Sequence, residues 1–134
     1  MNIPLYNLIL NSILVGIILI TQFISYPLFK NVGLDFSVFH KKYVNLMGFV
    51  VAPIMILELV IVSILFINDF DNTIIRAIAA SVVLIWTSTF LIQVPIHNKL
   101  SILKDLEKIN LLIKSNIIRT FLWTIKLILS TLIL

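Results

Sequence analysis

LMGFVVAPIMILELVIVSILFI, residues 46–67, is an apolar run that carries a single charge, Glu58. At about 1.5 Å per residue it is long enough, as a helix, to cross the ~30 Å hydrocarbon core of a bilayer. A strand reading fails. A spanning barrel strand needs about 10 residues of alternating polarity, whereas this run is twice that length and does not alternate. In lipid the backbone must also satisfy its own hydrogen bonds, which a helix does within the segment. An unpaired carboxylate at mid-membrane costs roughly 3 kcal/mol on insertion scales. Glu58 therefore requires a partner, and Lys126, at a similar depth in another apolar run, is the expected one.

Three further runs flank this one. They extend from Leu5 to about Phe29, from Ile74 to Ile96 and from about Ile117 to Leu134, and the central run itself reaches back to Val44. The composition agrees with this reading. Of 134 residues, 60% are hydrophobic and 12% charged, about half the charge of a typical soluble domain. The expected fold is all-α: a single domain, 1–134, forming an integral membrane antiparallel four-helix bundle of up-down-up-down order.

The net charge of +4 does not point to nucleic acid. Lys30, Lys41, Lys42, Lys99, Lys104, Lys108 and Lys114 all fall between the apolar runs, as cytoplasmic loops require. The short second loop carries Asp69 and Asp71 instead. Loops one and three are thus expected in the cytoplasm, with both termini outside, in a multi-pass protein of the cell (inner) membrane. The first run lacks a basic flank and a small-residue cleavage site, so it is expected to remain as a helix. The chain has no cysteine, which removes thiolate and disulfide chemistry.

The two basic loops have texture. Phe36 to Tyr43 mixes aromatics with His40, Lys41 and Lys42. Leu100 to Asn116 places Ile102, Leu106, Ile109 and Ile113 at helical spacing, and predicts a helix on or beyond the membrane surface. No repeat is evident, although runs one and three both end with a Gln four residues before an aromatic or His. Pro27, Pro53 and Pro95 stand out, and Pro53 and Pro95 can each kink a helix or free a carbonyl toward a cavity; the equal alternative is a proline that a membrane helix simply tolerates.

Several polar residues share faces. Gln22 and Tyr26 are four apart, as are Gln93 and His97. Asn116, Arg119, Trp123 and Lys126 form one stripe at three-and-four spacing. With His40, Tyr43 and Asn98, all of these except Lys126 gather toward the cytoplasmic half of an up-down bundle, while Glu58 and Lys126 sit deeper, each about halfway along its span. The expected site is a polar cavity in which Glu58, His97, Arg119 and Lys126 act chemically. Gln22, Tyr26, His40, Gln93, Asn98, Asn116 and Trp123 bind the ligand, a quinone or aromatic amphiphile. His97 is suited to general-base work, and Arg119 and Lys126 to stabilising an enolate or phenolate. The plainer alternative is interhelical hydrogen bonding at about 0.6 kcal/mol per bond; Arg119, taken alone, is expected to snorkel to the interface. Two histidines are the minimum for a bis-His haem, but no HExxH or Cys partner accompanies them, and no cofactor or metal is expected. The remaining function classes are a scaffold subunit and a small proton-coupled transporter built on Glu58, which would need a homo-oligomer to enclose a path.

Asn116-Ile117-Ile118-Arg119-Thr120 followed by Trp123, with Gln93-Val94-Pro95-Ile96-His97-Asn98 closing the third run, resembles the anthrone-oxygenase-like family of small membrane proteins. The layout resembles the family over the whole chain; the motif does so only around the last helix. The resemblance implies a cofactor-independent oxygenase-like or quinone-handling site, with Asn116, Arg119 and Trp123 as the residues at stake.

Overall fold

The computed structural model describes residues 2–134, and all regular structure in them is helical. We label the helices α1 (Ile3–Asn31), α2 (Phe36–Asn68), α3 (Thr73–Leu100) and α4 (Leu106–Thr131). The first three are long and apolar enough to cross a membrane. α4, which carries Lys114, Arg119 and Lys126, is not among them.

Helix starts follow local chemistry. Asn2 accepts from the Leu5 amide, Asn72 from those of Ile74 and Ile75, and Asp105 from those of Glu107 and Lys108, satisfying amide donors that the first turn leaves free. The hydrogen bond from the Lys108 side chain holds the Asp105 carboxyl below its usual range.

Both expected loops are shorter than their composition suggests. Phe36 to Tyr43 forms the first two turns of α2, because Phe36 and His40, four apart, are both buried. In the stretch from Leu100 to Asn116 the helix expected from the spacing forms from Leu106 onward, as a continuation of the fourth run. Leu100 closes α3, and α4 starts at Leu106 and runs unbroken to Thr131. Ile109, Leu112, Asn116, Arg119, Trp123, Lys126 and Ser130 form one buried face, and that continuous spacing leaves no place for a break.

The helices pack as a ring in the order α1, α2, α3, α4, closed by α4 on α1. One end is capped by an aromatic and aliphatic cluster: Tyr26 and Phe29 of α1, Phe36 of α2, Ile96 and Leu100 of α3, Ile109 and Leu112 of α4. The central layer contains Leu14, Ile18, Met55, Ile85 and Trp123. Outward, large apolar side chains such as Phe23, Phe49, Leu91 and Phe121 are exposed, while Asn7, Asn11, Gln22, Glu58, Gln93, Asn116 and Lys126 are buried. That is the reverse of the distribution in a water-soluble protein.

The two halves of the ring follow one plan. Thr89 lies 68 residues after Thr21, Pro95 68 after Pro27, and Lys126 68 after Glu58. In α1 and α3 alike a five-residue π-helical segment starts at that Thr, Thr21–Ser25 and Thr89–Gln93, and ends two residues before the proline. The cause is steric. A helical proline ring collides with the carbonyl four residues back, here Phe23 and Leu91, and both lie inside the widened turns. The two threonine hydroxyls make matching bonds to the Ile17 and Ile85 carbonyls, at 2.8 and 2.7 Å. Thus the symmetry lies in the Thr-to-Pro interval, not in the Gln positions. α2 passes through Pro53 as continuous α-helix.

Candidate functional site: a lateral cavity above a buried charge pair

Glu58 and Lys126 face each other across the ring, at corresponding positions of its two halves. Lys126 Nζ donates to Glu58 Oε1 at 2.7 Å, and neither side chain is exposed. The Trp123 indole N–H donates to the same oxygen at 3.3 Å. Lys126 also reaches Asn7 Oδ1 at 3.4 Å, Asn7 donates to Ser130 Oγ at 2.9 Å, and Ser130 donates to the Lys126 carbonyl. The pair expected from depth alone is therefore formed, inside a net that ties α1, α2 and α4 together. Desolvating two such charges is expensive; close contact and the Trp123 bond offset it at Glu58 Oε1, while Glu58 Oε2 is buried without a hydrogen-bond partner among the described residues.

Toward the aromatic end, Asn116 Nδ2 donates to Gln22 Oε1 at 2.9 Å and Gln22 Nε2 donates to the Ile113 carbonyl at 3.0 Å. Arg119 donates to Asn116 Oδ1 at 3.3 Å and its guanidinium lies 5.1 Å from the Trp123 ring centroid, near enough for cation–π attraction. Arg119 is 8% exposed, so it turns inward and does not snorkel. Its neighbours on α4 present a π face and an amide oxygen that hold the cation inside.

The two histidines meet. His40 Nε2 and His97 Nδ1 are 3.0 Å apart, His97 Nε2 and Tyr26 Oη 3.0 Å, and His40 Nδ1 and Ser101 Oγ 2.9 Å. An iron between two imidazole nitrogens would hold them about 4 Å apart, twice a metal–nitrogen bond of ~2.0 Å. Here all four ring nitrogens already have hydrogen-bond partners. Among the described residues no group of three His, Asp or Glu side chains is placed to hold a metal.

Next to these groups lies a cavity of about 290 Å³. Its polar edge is formed by Tyr26, Tyr43, Gln93, His97 and Arg119, and its walls include Met47, Met55, Trp86 and Trp123. Of the lining residues, Gly48 and Ala52 on α2 and Phe90 and Val94 on α3 are exposed, which places the mouth in the α2–α3 seam. Four buried polar atoms on lining residues have no hydrogen-bond partner: Tyr43 Oη, Trp86 Nε1, Gln93 Oε1 and Arg119 Nε. Buried polar groups are normally paired, and each exception asks for a reason.

The expected site thus divides. Tyr26, Gln93, His97, Arg119 and Trp123 line the cavity; Glu58, Lys126, Gln22, Asn116 and His40 do not. Glu58 and Lys126 connect to it only through Trp123, whose N–H bonds the carboxylate while its ring lines the cavity. His40 sits behind His97. Asn98 is exposed and makes no side-chain hydrogen bond among the described residues. Residues not expected from the sequence are Asn7, Asn11, Ser101, Trp86 and Ser130. Asn7 and Asn11 had a signal: two amides, four apart, in an otherwise apolar run. Ser101 had none.

The chain matches no family model, no curated protein and no solved structure.

Proposed function

We propose that the chain is a multi-pass membrane protein, an up-down-up-down antiparallel bundle, whose lateral cavity binds a lipophilic aromatic carbonyl compound of the quinone or anthrone type. The observation that carries this reading is the set of four unpartnered polar atoms on one mostly apolar cavity. Trp86 and Arg119 supply N–H donors for carbonyl or phenolate oxygens, Gln93 supplies an acceptor for a hydroxyl, and flat aromatic walls suit a planar ring. A mouth in the helix seam lets such a molecule enter from the acyl chains. Placing α4 in the bilayer fits the same picture, because Arg119 and Lys126 turn inward.

The chemistry follows from the edge. The Tyr26–His97 pair receives an acidic C–H or O–H proton, and Arg119 holds the oxyanion that remains, as charge-stabilising groups in a dry site do. An enolate formed this way is the electron-rich species that dioxygen attacks in the oxygenase-like reaction implied by the resemblance.

Both tryptophans of the chain line the cavity, which provides the assay. A short-chain naphthoquinone added to the protein in nanodiscs should quench their fluorescence saturably. Arg119→Gln should weaken that binding roughly 10- to 100-fold, the loss expected for one charged hydrogen bond. Gly48→Leu should weaken it too, by filling the mouth. A Cβ at Gly48 meets nothing within 4 Å, so the first atom of the new side chain has room, and an unchanged helical circular-dichroism spectrum checks that the variant folds. Quenching that is linear in quinone and indifferent to both substitutions would reject the reading.

The charge distribution favours loops one and three in the cytoplasm and both termini outside. A reporter fused after Leu134 should be active only outside; cytoplasmic activity would reverse the assignment.

A further inference from the structure

We infer that Tyr26, His97, His40 and Ser101 form a proton conduit from the cavity to the end of the bundle. The inference rests on the cavity reading for its purpose, but the conduit has properties of its own that need no ligand.

Three consecutive contacts of 3.0, 3.0 and 2.9 Å join the four groups. Tyr26 and His97 line the cavity. His40 is fully buried, with Phe36 stacked on it and Phe29 set edge-on, each at a centroid distance of 5.4 Å. Ser101 is half-buried in the turn after α3. The aromatic jacket keeps water from the middle of the chain, so a proton crosses it along the bonds or not at all.

A neutral imidazole has one N–H donor and one bare nitrogen. That rule leaves two arrangements of the whole chain. In one, Tyr26 donates to His97 Nε2, His97 Nδ1–H donates to His40 Nε2, and His40 Nδ1–H donates to Ser101. In the other every donor is reversed, starting from the Ser101 hydroxyl. Both histidines carry the proton on Nδ1 in the first and on Nε2 in the second. Conversion of the first into the second moves one proton. Tyr26 Oη takes a proton from the ligand and passes its own to His97, each imidazole hands on its Nδ1 proton, and Ser101 releases one to water. Bonds made and broken balance, no group holds a net charge at the end, and the ligand is left as the anion that Arg119 faces. Rotation of the hydroxyls and imidazole tautomerisation through solvent restore the starting state.

The chain contains two histidines, so histidine labelled with ¹⁵N at the ring gives four resonances in the full-length protein in nanodiscs. The expected spectrum shows His40 and His97 with the same tautomer, or both averaged between the two. Tyr26→Phe should shift the nitrogens of His40, although His40 does not touch residue 26, and Ser101→Ala should shift those of His97. Opposite tautomers on the two residues would break the middle link and overturn the conduit, as would Tyr26→Phe leaving the His40 resonances in place. With the naphthoquinone reduced to its hydroquinone, proton release to an aqueous indicator dye should slow at least tenfold in His40→Leu at unchanged Trp quenching. Equal rates would again overturn it. Failure of quenching with coupled tautomers would reject the ligand reading and leave the conduit standing.

Discussion

Glu58→Leu on its own should lose about 3–5 kcal/mol of stability, the range for removing one partner of a buried ion pair. The deleted carboxylate accepts from both Lys126 and Trp123. Its loss leaves an ammonium in the centre of the bundle with one weak neighbour, Asn7 Oδ1 at 3.4 Å. That ammonium must stay charged without a counterion or give up its proton, and either outcome costs free energy. Lys126→Met should behave alike, since it strands the carboxylate. The double variant Glu58→Leu with Lys126→Met should recover most of the loss, because two apolar side chains of similar volume need no partner. Glu58→Gln should fall between, as its amide oxygen still accepts from Trp123. Unfolding by SDS in mixed micelles measures all four. Single variants as stable as the double one would show that the pair contributes nothing specific.

Trp123→Ala is expected to be of comparable size, about 3–5 kcal/mol, as for other fully buried large side chains. The residue is 1% exposed and packs with Leu14, Ile18, Met55 and Ile85. It also carries Arg119 over its ring and donates to Glu58. Truncation would join the cavity to the charge pair and take away the one wall that separates them. Trp123→Phe retains most of the volume and the π face but removes the N–H, so about 1–3 kcal/mol should be lost. In the quenching assay the Ala variant should bind naphthoquinone weakly even where it folds. A Trp123→Ala protein with wild-type stability and affinity would mean that the ring neither holds the core nor shapes the cavity.

Much of the fold is legible because long helices of this kind, three of them apolar enough to cross a membrane, write themselves in runs of apolar residues. Glu58 and Lys126 could be paired from depth, since each lies near the middle of its run and neither has any cheaper way to be satisfied. The α4 stripe was legible for the same reason that helices are: Asn116, Arg119, Trp123 and Lys126 recur at the helical period, and all four are buried. His40 was harder. Its neighbours Lys41 and Lys42 suggest a solvated loop, but helical geometry turns them outward while His40 faces the core with Phe36. Composition averages over a helix and cannot see its two sides. The repeat was missed because few residues are shared between the halves; the π segments at Thr21 and Thr89 reveal it.

From residue order alone come the number of helices, the segments that hold them, the one unavoidable ion pair and the polar face of α4. These are local or one-dimensional properties, set by apolar length, helical period and the cost of charge in hydrocarbon. Packing decided the rest. It chose which helices adjoin and which face each other across the ring. It brought Tyr26, His40, His97 and Ser101 into one hydrogen-bonded chain, and it left one polar atom each of Tyr43, Trp86, Gln93 and Arg119 unpartnered around one space. A cavity is what side chains from separate helices fail to fill, so it has no address in any single stretch of the sequence.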